Sequence, residues 1–283
     1  MIELAGMAGA VTAITGFEKG SGKTTFLSHA QAVVRHAGPA AVFTIGVDGA
    51  QKAKGSQLSP PEIHVGVGDI VLTTEPFARS SSAKFEILEV IPGRSSLGAL
   101  FLGRVAREGS VTLVGSDHLG VMAELIHRVQ REQWAQTVLV DGAVNRVTQL
   151  RALGDVNFVF TARIDRANLV RTAARIRNVA ALAALPTSRE AGAHFIEGVV
   201  TSEILASLPP GVTSLVIEDF TKVFLEQGEL TRALGRFHFS VRHPVRLLCF
   251  AVTLRDVSRD HLLEFIGPRA AEKVLFNPYE AAS

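Results

Sequence analysis

The sequence TGFEKGSGKTT occupies Thr15–Thr25. Its last part, Gly22-Lys23-Thr24, matches the end of the Walker A pattern, a glycine and four residues followed by Gly-Lys-Ser/Thr. The first glycine of that pattern would fall at Phe17, whereas Gly16 stands one residue earlier. The chemistry of a phosphate-binding loop is nevertheless present. Gly20 and Gly22 let backbone N–H groups curl around an anion without Cβ clashes. A helix that follows would turn its N-terminal amides and positive dipole end toward the same anion. Lys23 supplies a charge for the β and γ phosphates, and the Thr24 hydroxyl suits Mg²⁺. Gly16, Lys19, Gly20, Ser21, Gly22, Lys23, Thr24 and Thr25 are therefore the candidate nucleotide-binding residues.

The flanking segments support a loop of this kind. Ala10–Phe17, AVTAITGF, is apolar and β-branched and ends at a glycine, as a buried first strand should. Gly22–Gly38 reads as a helix closed by Gly38 and Pro39. Pro39–Gly49, PAAVFTIGVDG, is a second strand with Asp48 at its C-terminal end. Strand, loop, helix and strand in this order make a parallel sheet. The fold expected is α/β, a three-layer P-loop NTPase-like sheet, mostly parallel, in a single domain spanning residues 1–283.

A polar stretch follows, Gly49–Glu62, which reads as a surface loop. Residues 62–116 then change character. Short runs such as IHVGVGDIVLTT, KFEILEVI, ALFLGRVA and VTLVGSD are spaced like hairpins. They predict a β-rich insertion or edge extension. Helical alternation resumes at His118–Trp134. Val138–Ala143, VLVDGA, belongs to a strand ending at Asp141. Asp155–Asp165 is another strand, and Ala167–Leu185 is a long helix stopped by Pro186.

A Walker B acid should follow an apolar strand, where it holds Mg²⁺ directly or through water. Asp141 is the leading candidate. Glu218 and Asp219 in VIEDF and Asp117 in VGSD also follow apolar runs, but each could cap the next helix. Asp48 is a second candidate for Mg²⁺ or for positioning water, against the alternative of a plain turn residue before Gly49. Lys23, Asp141 and Asp48 are thus the candidate catalytic residues, and Thr24, Asp141 and Asp48 the candidate metal ligands. Lys19 has two readings. It is a solvated lysine or one touching the same nucleotide, or it reaches a nucleotide across a dimer interface, although its spacing to Lys23 is one residue short for that signature. An oligomer is left open on this ground.

Composition narrows the alternatives. The 283 residues carry a formal net charge of +2. That balance demands neither nucleic acid nor an anionic membrane surface as a partner. Arg163, Arg166, Arg171, Arg175 and Arg177 read as a solvated helix face, with a basic docking surface as the alternative. Cys249 is the single cysteine. It excludes an intrachain disulfide, which fits a reducing cytoplasm, and its apolar surroundings LLCFAV indicate a buried, inert thiol. No apolar stretch is long enough to span a bilayer. The histidines show no metal-ligand spacing, and there is no HExxH, CxxC or G-x-S-x-G pattern.

The motifs together resemble a family. GFEKGSGKTT followed by FTIGVDGA is similar to the KamB-type proteins, a reactivase subunit associated with lysine 5,6-aminomutase. Their loop has a glycine, two residues, a lysine, two residues, then Gly-Lys-Thr-Thr, which accounts for Gly16 and Lys19. The similarity continues at Phe85–Val105, at Val138–Arg146 and at Asp219–Leu225. Gly20 stands where the family pattern has Asn, and Ala251–Asp260 lacks an Asn-Pro-rich turn. The resemblance implies a P-loop ATPase partnered by a MutS-like ATPase and by an adenosylcobalamin- and pyridoxal-phosphate-dependent aminomutase. Nucleotide state would bias its shape toward one that favours release of damaged cofactor.

Two further classes fit the residues alone. One is a stand-alone small-molecule kinase or ATP-dependent ligase, with Asp48 or Asp141 positioning an acceptor. The other is a nucleotide-binding module that does not turn over. No NKxD-type guanine reader is present, which favours ATP over GTP.

Overall fold

A computed structural model describes residues 4–45, 62–95, 97–116, 119–142, 156–188 and 192–279. The chain forms two compact units. The first comprises Glu3–Thr161 with Pro278–Ser283, and the second Ala162–Asn277. The architecture is mixed α/β with a large, mostly parallel sheet.

In the first unit β1 (Val11–Gly16) leads into the glycine loop and α1 (Lys23–Val34). β2 (Ala40–Thr44) follows after a 3-10 turn at Arg35–Ala37. β3 (Glu62–Val65), β4 (Ile70–Thr74), the short α2 (Glu75–Ser80), β5 (Lys84–Ser95), β6 (Gly98–Arg107) and β7 (Gly109–Thr112) make up the β-rich stretch. α3 (Leu119–Arg131), β8 (Thr137–Asp141) and β9 (Val156–Ile164) complete the run. The strand order is β9-β1-β8-β2-β4-β6-β5. β9, β1, β8, β2 and β4 are parallel, and β6 and β5 add to that edge antiparallel.

This order has a physical basis. β1, β2 and β8 are buried along nearly their whole length. They are continuous apolar runs, as strands covered on both faces must be. α1 buries Phe26, Leu27, Ala30, Gln31 and Val34. These lie on one helical face, the stripe needed to pack on a sheet. Residues 62–116 are indeed dominated by strands, yet β4 is a parallel member of the main sheet and β3 and β7 form a separate two-stranded ribbon. Asp69 fixes the start of β4. Its buried carboxylate accepts from the Ala40 and Gly66 amides and pairs with Arg35 at 3.0 Å.

In the second unit the end of β9 lies beside β13 (Arg246–Leu254), since the Arg255 amide donates to the Ile164 carbonyl. β13 pairs in parallel with β14 (Val274–Phe276). α4 (Leu169–Ala183) packs on α7 (Arg259–Ala271). A second sheet of three parallel strands contains β10 (His194–Ile196), β11 (Ser214–Ile217) and β12 (His238–Val241) in that order. α5 (Ser202–Ala206) and α6 (Gln227–Arg236) connect them. Leu215, Ile217, Phe237 and Phe239 belong to a core of their own there. Among the described residues, no helix is long and apolar enough to cross a membrane.

Candidate functional site

The loop between β1 and α1 is closed by contacts that begin with Gly16. A Cβ on Gly16 would lie 1.9 Å from Ser21 Oγ and 2.9 Å from Thr161 Oγ1. No side chain fits there, so the glycine one residue early is the position where the loop folds back on its own strand. Ser21 is buried and its hydroxyl lies 2.9 Å from that of Thr161. Thr161 Oγ1 in turn donates to the Thr15 carbonyl at 3.1 Å. The Phe17 amide donates to the Thr161 carbonyl, and the Phe17 ring stacks on Phe160 at 5.4 Å. A turn from Glu18 to Ser21 places Lys19 and Gly20 at the exposed tip.

Gly20 and Gly22 both have positive φ, 81° and 94°. Only glycine adopts this conformation without a steric penalty. Gly22 caps α1 in the left-handed region, and no side chain accepts from the helix amides. The first helical bond runs from the Phe26 amide to the Gly22 carbonyl. The amides of Lys23, Thr24 and Thr25 therefore have no acceptor within the helix. No acidic residue occupies the first turn. The positive end of the helix thus meets no negative side chain from its own first turn.

The neighbouring strand completes the arrangement. β8 lies directly beside β1, with Asp141 in register with Ile14. The Asp141 side chain is 11% exposed and that of Lys23 30%, and their Oδ1 and Nζ atoms are 3.6 Å apart. Residues more than a hundred positions apart are thereby brought to one point at the carboxyl ends of parallel strands. That is where open α/β sheets bind ligands. The Ile45 amide donates to the Asp141 carbonyl and the Gly142 amide to that of Ile14, fixing the strand ends.

No family model, curated protein or solved structure matches this chain. The chemistry of the site is its own argument. Lys23 and Asp141 converge; Thr24 and Thr25 follow Lys23 on the first turn of α1; Ser21 is buried and holds the loop; Lys19 stands at the exposed tip. Asp48 and Asp117 lie outside the described residues. Glu218 and Asp219 lie in the second unit. Glu218 pairs with Lys222 at 3.8 Å, and buried Asp219 accepts from the Thr221 amide at 2.8 Å, capping the 3-10 turn Phe220–Lys222. That is a structural cap.

Two groups at the loop escaped the sequence reading. Thr161 sits in an apolar strand with no motif to mark it. Tyr279, the single tyrosine, lies near the C-terminus. Its hydroxyl donates to the Gly22 carbonyl at 3.4 Å, and its ring meets His29 edge-on at 6.0 Å. Burial holds the His29 imidazole below its ordinary pKa. Among the described residues, no group of three His, Cys, Asp or Glu side chains is placed to hold a metal. A hard cation carried in by a nucleotide needs less. Asp141 and Thr24 are the residues that could offer a carboxylate and a hydroxyl to Mg²⁺, which keeps several waters.

Proposed function

We propose that this chain is an Mg²⁺-dependent ATP-binding protein that hydrolyses ATP slowly at residues 16–25 and acts on a partner enzyme. The observation that carries the reading is the Lys23–Asp141 pair at 3.6 Å, set at the mouth of a glycine loop whose first helix amides have no acceptor within the helix. An ammonium, helix N-terminal amides and a carboxylate are the elements phosphoryl-transfer sites use to hold and neutralise a triphosphate. With nucleotide bound, Lys23 turns from Asp141 to the phosphates, and the Lys23–Thr25 amides hold the anion. Thr24 and Asp141 would hold Mg²⁺, which neutralises charge on the phosphate oxygens.

In this reading Asp141 serves the metal, and a separate base for the attacking water is not assigned. Slow basal turnover accelerated by a partner is compatible with such a site, since a missing element can be supplied in trans. The resemblance to KamB-type proteins supports a MutS-like ATPase or an adenosylcobalamin-dependent aminomutase as that partner. Titration calorimetry with Mg-ATP tests the site. Lys23→Ala is expected to fold and to lose tight binding. Equal ATP affinity in wild type and variant would overturn the reading. Transfer of phosphate to a small metabolite, with no response to either partner, would replace the accessory role by a kinase or ligase.

A further inference from the structure

The loop described above accounts for a triphosphate but not for the rest of a nucleotide. The base of a nucleotide must lie beyond the α-phosphate, and something must line its position. Thr25 is exposed on the first turn of α1 and stands one turn before His29. Residues four apart share a helix face. The face that leads away from the candidate phosphate amides therefore leads to His29. Tyr279 lies against that imidazole, and its hydroxyl reaches back to Gly22. Its ring thus runs beside the first turns of α1, from the loop glycine to His29. Both rings are only half-buried.

We infer that Tyr279, backed by His29, is the aromatic platform on which the base of the bound nucleotide stacks. The inference rests on the proposed nucleotide site and adds the group that recognises the base. A flat, half-exposed phenol ring suits a purine face, and stacking does not require reading hydrogen-bond edges. The hydroxyl anchor to Gly22 limits the ring's freedom, so little conformational entropy is lost when a base docks. His29 meets the ring in an edge-on contact. Burial favours its neutral form, which adds no positive charge beside a base.

Two ligands separate the platform from the phosphate site. Mg-ATP carries a base and Mg-tripolyphosphate does not. Tyr279→Ala is expected to weaken ATP about tenfold, within the range known for losing one stacked base, and to leave tripolyphosphate affinity unchanged. Tyr279→Phe keeps the ring but loses the hydroxyl anchor, and should weaken ATP much less than Tyr279→Ala does. Equal weakening of both ligands, or of neither, would overturn the platform and leave Tyr279 a packing residue. Failure of the wild-type protein to bind either ligand would overturn the phosphate site and the platform with it.

A second measurement needs no substitution. Tyr279 is the single tyrosine, so ring-labelled tyrosine gives one set of signals in the full chain. Mg-ATP should move those signals upfield through the ring current of the base, and Mg-tripolyphosphate should not. Identical shifts with both ligands would overturn the proposal.

Discussion

At the residue scale, Gly16 shows how a small departure from a motif is resolved. The pattern's first glycine is one position early, and the reason lies in Ser21 and in Thr161, 140 residues beyond Ser21. Gly16→Ala drives a methyl into Ser21 Oγ, a short buried hydroxyl already engaged by Thr161. Overpacking of this kind costs about 1–3 kcal/mol. Denaturant unfolding of Gly16→Ala should show that loss together with weakened ATP binding. The double variant Gly16→Ala/Ser21→Gly removes the obstructing atom and should recover part of it, since contacting residues are not additive. No recovery would mean the loop is held by other contacts.

Cys249 supplies a second residue-scale case, one with a pH sign. Burial pushes its thiol up from an ordinary 9.0 to about 12. Above pH 9.0 the unfolded chain releases the thiol proton while the folded chain keeps it. Its contribution to stability is thus complete below pH 9.0 and is lost as pH rises toward about 12. A thiol reagent should modify Cys249 far more slowly in the native protein than in the unfolded one. Rapid native modification at neutral pH would contradict the burial.

At the element scale, the sequence made the central strands visible where local signals agreed. β1 is an apolar run ended by glycine, α1 has a clean buried stripe, and β8 ends at an acid. The β-rich stretch was legible as strands but not as pairings. Nothing local distinguishes β4, which pairs in parallel with β2, from β5 and β6, which pair antiparallel. Register and partner depend on contacts far along the chain. For the same reason the Lys23–Asp141 pair could be suspected from two motifs while Thr161 and Tyr279 could not. VIEDF looked locally much like VLVDG, yet its acids serve the second unit. Asp219→Ala removes a buried acceptor from the Thr221 amide and hydroxyl. Leaving these donors unpaired costs about 1–3 kcal/mol. The expected result is a loss of thermal stability with unchanged ATP affinity. Loss of ATP affinity without loss of stability would place Asp219 in the nucleotide site.

At the scale of the whole molecule, every group assigned to the nucleotide lies in the first unit: the loop, α1, the end of β8 and Tyr279. A ligand that binds only the native state stabilises it by mass action, by about 2.7 kcal/mol at a hundredfold excess over Kd. That stabilisation should appear first where the ligand touches. Hydrogen exchange with and without Mg-ATP tests it. Amides of α1 and of the ends of β1 and β8 should exchange more slowly with nucleotide, while those of β10, β11 and β12 keep their rates. Lys23→Ala should abolish the difference. Slowing confined to the three-stranded sheet would move the site into the second unit, to the carboxyl ends of its own parallel strands. Slowing in both units would mean that nucleotide binding is felt beyond its own site. For a protein that acts on a partner this outcome has a definite consequence. A ligand shifts an equilibrium only by its differential affinity for the two states. Linkage then makes a direct test: a partner that favours the nucleotide-bound state would raise nucleotide affinity by the same factor by which nucleotide raises partner affinity.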